Sequence, residues 1–167
     1  MKKYILLGVI ALVLLALPAA VAADNKAQTV VSGSIATSIT VTVDNTALDL
    51  GPMDVGINPA IPGYVNTTVH VNTTGPVSGW GLKAKDTGTV KTGWLLDGTT
   101  FLNMPLGFAW GTPTTWTDLT VERSIASGTG PAAYPDVPTD VFFRQEVIAG
   151  DPVGTYTMTV EFDGILV

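Results

Sequence analysis

The side chains that could carry chemistry are few and scattered. There is one histidine, His70, and the chain of 167 residues has no cysteine. Thiolate metal sites, cysteine nucleophiles and disulfides are therefore excluded together. A Ser-His-Asp triad would need His70 between an oriented serine and a carboxylate. No Gly-x-Ser-x-Gly elbow occurs, and Val77-Ser78-Gly79 reads as an ordinary turn. His70 lies in an alternating run, on the face with Asn66, Thr68 and Asn72, and is expected to be a solvent-facing strand residue. With one histidine and no cysteine, a zinc site is not expected. No phosphate loop or dinucleotide fingerprint is present, so no cofactor is expected.

Hard oxygen ligands are more plentiful. Asp44, Asp49 and Asp54 lie close together with Asn45 and Asn58, a set that suits calcium, although the spacing is not that of an EF-hand loop. Asp136, Asp140 and Asp151 form a second, looser group. Aspartate is equally a turn former that bonds its own backbone, and turn chemistry is the expectation for both groups. Paired carboxylates for glycoside hydrolysis are not favoured by any spacing here. Among the aromatic residues, Trp80 and Trp94 are expected in the core or at its edge. Trp116 lies in the polar stretch Thr114–Asp118 and is expected to be exposed; with Tyr134 it could stack on a sugar. Asn66-Thr67-Thr68 and Asn72-Thr73-Thr74 are N-glycosylation triplets whose asparagines, six apart, fall on one strand face.

The elements that position these groups follow from periodicity of two. Ile35, Thr37, Ile39, Val41 and Val43 share one face. Val65, Thr67, Val69 and Val71 share another, as do Trp80, Leu82 and Ala84, and Tyr156, Met158, Val160 and Phe162. Such alternation places one face on a core and one in water. Further strands are expected at Phe108–Trp110, Leu119–Ile125 and Val141–Val147. Asp97-Gly98 predicts a tight type I′ hairpin joining Trp94–Leu96 to Thr99–Phe101. Gly51–Gly63 and Ser127–Thr139 read as surface loops. About seven to nine short strands between Pro/Gly turns predict a single all-β domain over 35–167, an antiparallel β-sandwich of immunoglobulin-like or jelly-roll-like type.

Ahead of it, Lys2 and Lys3, the apolar run Tyr4–Leu17, and Pro18 followed by small residues have the order of a secretory signal over residues 1–23, cleaved after Ala22 or Ala23. An uncleaved membrane anchor is the alternative. Cleavage would take the net charge from −6 to −8. That acidity argues against nucleic-acid binding and against affinity for anionic lipid. Residues 24–34 are a polar extended segment. They read either as a frayed terminus or as a strand, Thr29, Val30, Val31 and Ser32, that completes a sheet in this molecule or a neighbour.

Gly79-Trp80-Gly81-Leu82, the strand Ile39–Val43 followed by Leu48-Asp49-Leu50-Gly51, and the closing Gly154–Val160 run resemble the WxL-type cell-surface domains and related secreted β-sandwich proteins of bacteria and archaea. The resemblance spans roughly Ile35 to Phe162. It implies a sandwich at the cell surface. It does not carry over the family's attachment to wall glycan, because the last strand holds Val160-Glu161-Phe162 where the family has a second Trp-x-Leu. The expectation is thus a non-enzymatic extracellular structural protein, an envelope component or fibre subunit that associates with itself or with other envelope components. An extracellular carbohydrate-binding module is the alternative.

Overall fold

The computed structural model describes residues 32, 34–132 and 136–167, and within them the fold is all-β and antiparallel. The signal segment, Thr29, Val30, Val31 and Tyr134 lie outside the described residues. Ile35–Val167 forms one compact unit. Its strands are β1 (Ser38–Val43), β2 (Gly56–Asn58), β3 (Val65–Thr74), β4 (Gly79–Asp86), β5 (Leu96–Asp97), β6 (Thr100–Phe101), β7 (Gly107–Trp110), β8 (Arg123–Thr129), β9 (Val137–Val147) and β10 (Val160–Leu166). The larger sheet runs β1-β3-β9-β2, with β7 also paired to β9. The smaller runs β10-β4-β8.

Alternation determines which side chains meet between the sheets. Along β3, Thr67, Val69, Val71 and Thr73 are buried, while Asn66 is exposed and His70 and Asn72 are half-buried. Val141 and Phe143 of β9 and Phe108 of β7 extend that apolar face. Trp80, Leu82 and Ala84 of β4 and Ile125 of β8 face them from the smaller sheet, and all belong to one core cluster. Ile39, Val41 and Val43 are half-buried against it, in the expected phase. Burying one such aliphatic or aromatic side chain contributes roughly 1.5–3 kcal/mol, so this interface is the main source of stability.

Several boundaries differ from the expectation. The Asp97-Gly98 hairpin forms, but Leu96 pairs with Phe101 and Asp97 with Thr100, so its central residues are Gly98 and Thr99. Only Gly98 has positive φ, 62°, which is the type II′ pattern and not type I′. The strand expected at Leu119–Ile125 begins at Arg123 instead. Asp118 Oδ1 accepts from the Thr120 N–H at 3.1 Å and the Thr120 hydroxyl at 2.5 Å, which holds 118–120 in a turn and drops Leu119 into the core. β9 begins at Val137, inside the segment read as a loop, and β2 interrupts the segment Gly51–Gly63.

Asp118 also predicts an acid response. Its pKa lies below the ordinary carboxylate value, chiefly because of the Thr120 hydroxyl, against some burial, with further help from the Thr120 N–H and Arg123. A depressed folded-state pKa contributes stability above the unfolded value, and that stability is lost as pH falls through the folded one. The denaturation midpoint should therefore drop below about pH 4, and Asp118→Asn should flatten that part of the profile. Parallel profiles for the two proteins between pH 5 and 2.5 would contradict this assignment.

Candidate functional site

Two edge strands from opposite sheets come together on one side of the sandwich. Among the described residues β1 has only β3 as a strand neighbour, and β10 has only β4. They touch near Gly164, where even a Cβ would lie 2.7 Å from a Val41 methyl and 2.9 Å from Ile39 Cδ1. Toward the end of β1 and the start of β10 the edges part. A cleft of about 770 Å³ opens there between the sheets. Val43, Val65, Phe143, Val160 and Phe162 form its strand-borne walls. Leu48, Leu50 and Met53, from the segment after β1, and Met158, from the segment before β10, extend them.

Its polar groups are mostly committed to loop architecture. Buried Thr67 accepts the Asn45 N–H through Oγ1 at 2.9 Å. Asp49 Oδ1 accepts the Gly51 N–H at 2.8 Å. Asn58 closes the loop before it, accepting from Asp54 N at 3.0 Å and donating to the Asp54 carbonyl at 2.7 Å. Asp151 accepts from Ile148 N at 2.8 Å and from Asn103 N and Nδ2 at 2.8 and 2.5 Å. Burial works against its charge, but the Ile148 and Asn103 donors outweigh that and hold its pKa low. Asp49, Asp54 and Asp151 line the cleft, and no lysine or arginine is among its lining residues. The site is thus a cleft of mixed lining, in which aliphatic and aromatic side chains alternate with three carboxylates.

The calcium candidates do not converge. Asp44 turns to the outer face, Asp49 holds its own turn, and among the described residues no group of three or more His, Asp or Glu side chains could hold a metal ion. Of the second acidic group, Asp140 accepts the Thr68 hydroxyl at 2.8 Å and Asp136 faces His70. His70 is partnered more closely than a solvent-facing residue would be. Its Nε2 lies 3.0 Å from Asp44 Oδ1 and its Nδ1 2.5 Å from Asp136 Oδ2, the latter a close contact without hydrogen-bond alignment. The imidazole thereby ties together the end of β1, the middle of β3 and the residue before β9. Sequence reading did not anticipate this clamp, because its carboxylates are 26 and 66 positions from the histidine.

The aromatic residues are also redistributed. Trp80 is buried and Trp94 is half-buried, within the core-or-edge placement expected of both, with Lys91 Nζ 4.3 Å above the Trp94 ring. Trp116 is half-buried and not exposed, with the Arg144 guanidinium 4.1 Å from its centroid and Tyr64 at 6.5 Å. One face of the indole is therefore covered by Arg144. Trp110 is the more exposed tryptophan. Asn66 and Asn72 share the outward side of β3 as expected, but Asn66 alone is exposed. Of the assembly residues, Ser32 is described and is exposed. The cleft itself was not anticipated. The signal for it was the set Leu48, Leu50 and Met53, apolar residues in a segment too rich in turn formers to be a strand. No protein-family model matches the chain, and neither does any curated protein.

Proposed function

We propose that this chain is an exported structural protein of the cell surface, a fibre or envelope subunit joined to its neighbours by strand addition. The observation that carries this reading is the β1 edge, which has no strand beside it among the described residues and ends at a cleft between the sheets. An unpaired edge offers a row of N–H and C=O groups to an extended segment, with apolar space alongside for alternate side chains. Edges that must stay unpaired are usually blunted by charge. β1, Ser-Ile-Thr-Val-Thr-Val, has no charged residue. A head-to-tail contact of this type does not close on itself and so propagates. The signal-like N-terminus and the low content of charged residues agree with an exported β-protein, and the reading takes over no wall-glycan site from the WxL resemblance.

The test is electron microscopy of residues 24–167 beside residues 34–167. The longer protein should form filaments, and the shorter should remain dispersed with an unchanged β circular-dichroism spectrum. Val30→Pro should weaken assembly by removing a ladder donor. Filaments from residues 34–167, or a mature protein that stays monomeric at high concentration, would refute the reading.

A glycan-binding module is the second reading. Its support is a recess of about 220 Å³ where Trp116 lies with Arg144, Asp118 and Glu146. Saccharide binding on a glycan array, lost in Trp116→Ala, would favour it over the fibre.

A further inference from the structure

Resting on the strand-addition reading, we infer that the cleft between the β1 and β10 edges is the acceptor for residues 26–32 of a second copy. The segment Lys26-Ala27-Gln28-Thr29-Val30-Val31-Ser32 alternates, so that Ala27, Thr29 and Val31 share one face. In extended form, seven residues reach roughly 24 Å, enough to follow the six residues of β1 and enter the slot at its end. The wedge left where the edges part is where a strand can insert: its backbone pairs with β1, and its small side chains meet Val43, Val65 and Phe162. Larger residues would not pass the narrow part of the seam, where Gly164 lies against Ile39 and Val41.

The direction of the chain favours a second copy over the molecule's own segment. Residues leading into β1 are exposed, and Ala36 and Thr37 pass beside Gly75, at the turn that follows β3. The cleft is at the other end of β1, beyond Val43. Ala36 and Thr37 already lie beyond the start of β1, so the five-residue step from Val31 to Ala36, at most about 17 Å when extended, does not reach back past the six residues of β1 to the molecule's own cleft.

Because the chain has no cysteine, disulfide trapping reads this contact directly. A disulfide requires Cβ atoms within about 4.5 Å, so cross-linking reports proximity and not mere encounter. Mature protein carrying Val31→Cys is mixed with mature protein carrying Met53→Cys, allowed to assemble and oxidised. A covalent dimer joining the two variants is expected, and none is expected when Met53→Cys is replaced by Ser124→Cys on β8. Met53→Trp, which fills the slot, should raise the concentration needed for assembly at least tenfold while leaving the β circular-dichroism spectrum intact. Filaments that form without the Val31–Met53 link would overturn the cleft assignment and leave strand addition standing. A link formed within single chains carrying both cysteines at high dilution would overturn the second copy as occupant. Failure of the unsubstituted mature protein to assemble would remove the strand-addition reading and this inference together.

Discussion

Asp86→Ala should lower the unfolding free energy by about 3 kcal/mol, an expectation set by two charge-assisted hydrogen bonds that lose their acceptor out of reach of water. Asp86 ends β4 and is buried, with 7% of its surface exposed. Its Oδ1 accepts the Gly88 N–H at 2.8 Å and its Oδ2 the Gly93 N–H at 2.7 Å. One carboxylate thus gathers the whole segment between β4 and Trp94. The segment has no room to settle elsewhere, since a Cβ at Gly93 would lie 2.6 Å from Thr120 N and φ there is +91°. Two residues later comes Leu95, buried in the core and lining the cleft. Loss of the tether should therefore loosen the cleft wall as well as the fold. Urea denaturation should show a lower midpoint with an unchanged slope. Asp86→Asn keeps one acceptor oxygen and should lose only about half as much. A loss below about 1 kcal/mol for the alanine variant would mean that the segment supports itself.

Asp86 also marks where sequence reading ends. As the last residue of the run Trp80, Leu82, Ala84, its inward phase was legible, but an aspartate in that position reads as a strand end facing water. Its burial depends on two glycine N–H groups delivered by a loop whose course has no periodicity. The strand faces themselves were legible because tertiary packing reinforced the alternation at Val65–Val71, Trp80–Ala84 and Tyr156–Phe162. The start of β9 was hidden by Pro138, which reads as a loop residue. Over Val137–Thr139 that strand pairs with β3 on one side and, among the described residues, has no strand on the other, the setting in which a strand tolerates proline. Trp116 was misread for a related reason. Its neighbours in sequence are polar, but its neighbour in space, Arg144, arrives on β9 opposite Gly107, whose lack of a side chain leaves room for the ring. The cleft was illegible because it is a space between two sheets, and no local pattern encodes where two edges separate.

The centre of the core ties stability to that cleft, and Phe108→Ala should be the most destabilising single truncation. Phe108 is fully buried, pairs with Phe143 across β7 and β9, and packs its ring 5.4 Å from that of Phe143. Its N–H and carbonyl both bond Thr117, at 2.8 Å each, so the residue is fixed by backbone as well as by packing and the surroundings cannot collapse fully into the void. Removing a buried phenyl group under those conditions costs about 3–5 kcal/mol, a large share of the roughly 5–15 kcal/mol that holds a domain of this size together. Phe108→Leu retains most of the volume and should cost about 1–2 kcal/mol. Phe143 also lines the cleft, so the cavity left by Phe108→Ala gives its ring space to withdraw from the wall. Chemical denaturation measures the first effect. If strand addition uses this wall, Phe108→Ala assayed well below its unfolding transition should also assemble more weakly than Leu119→Ala, a core truncation outside the cleft lining. Equal assembly by the two variants would separate the core from the acceptor site and confine the role of Phe108 to stability.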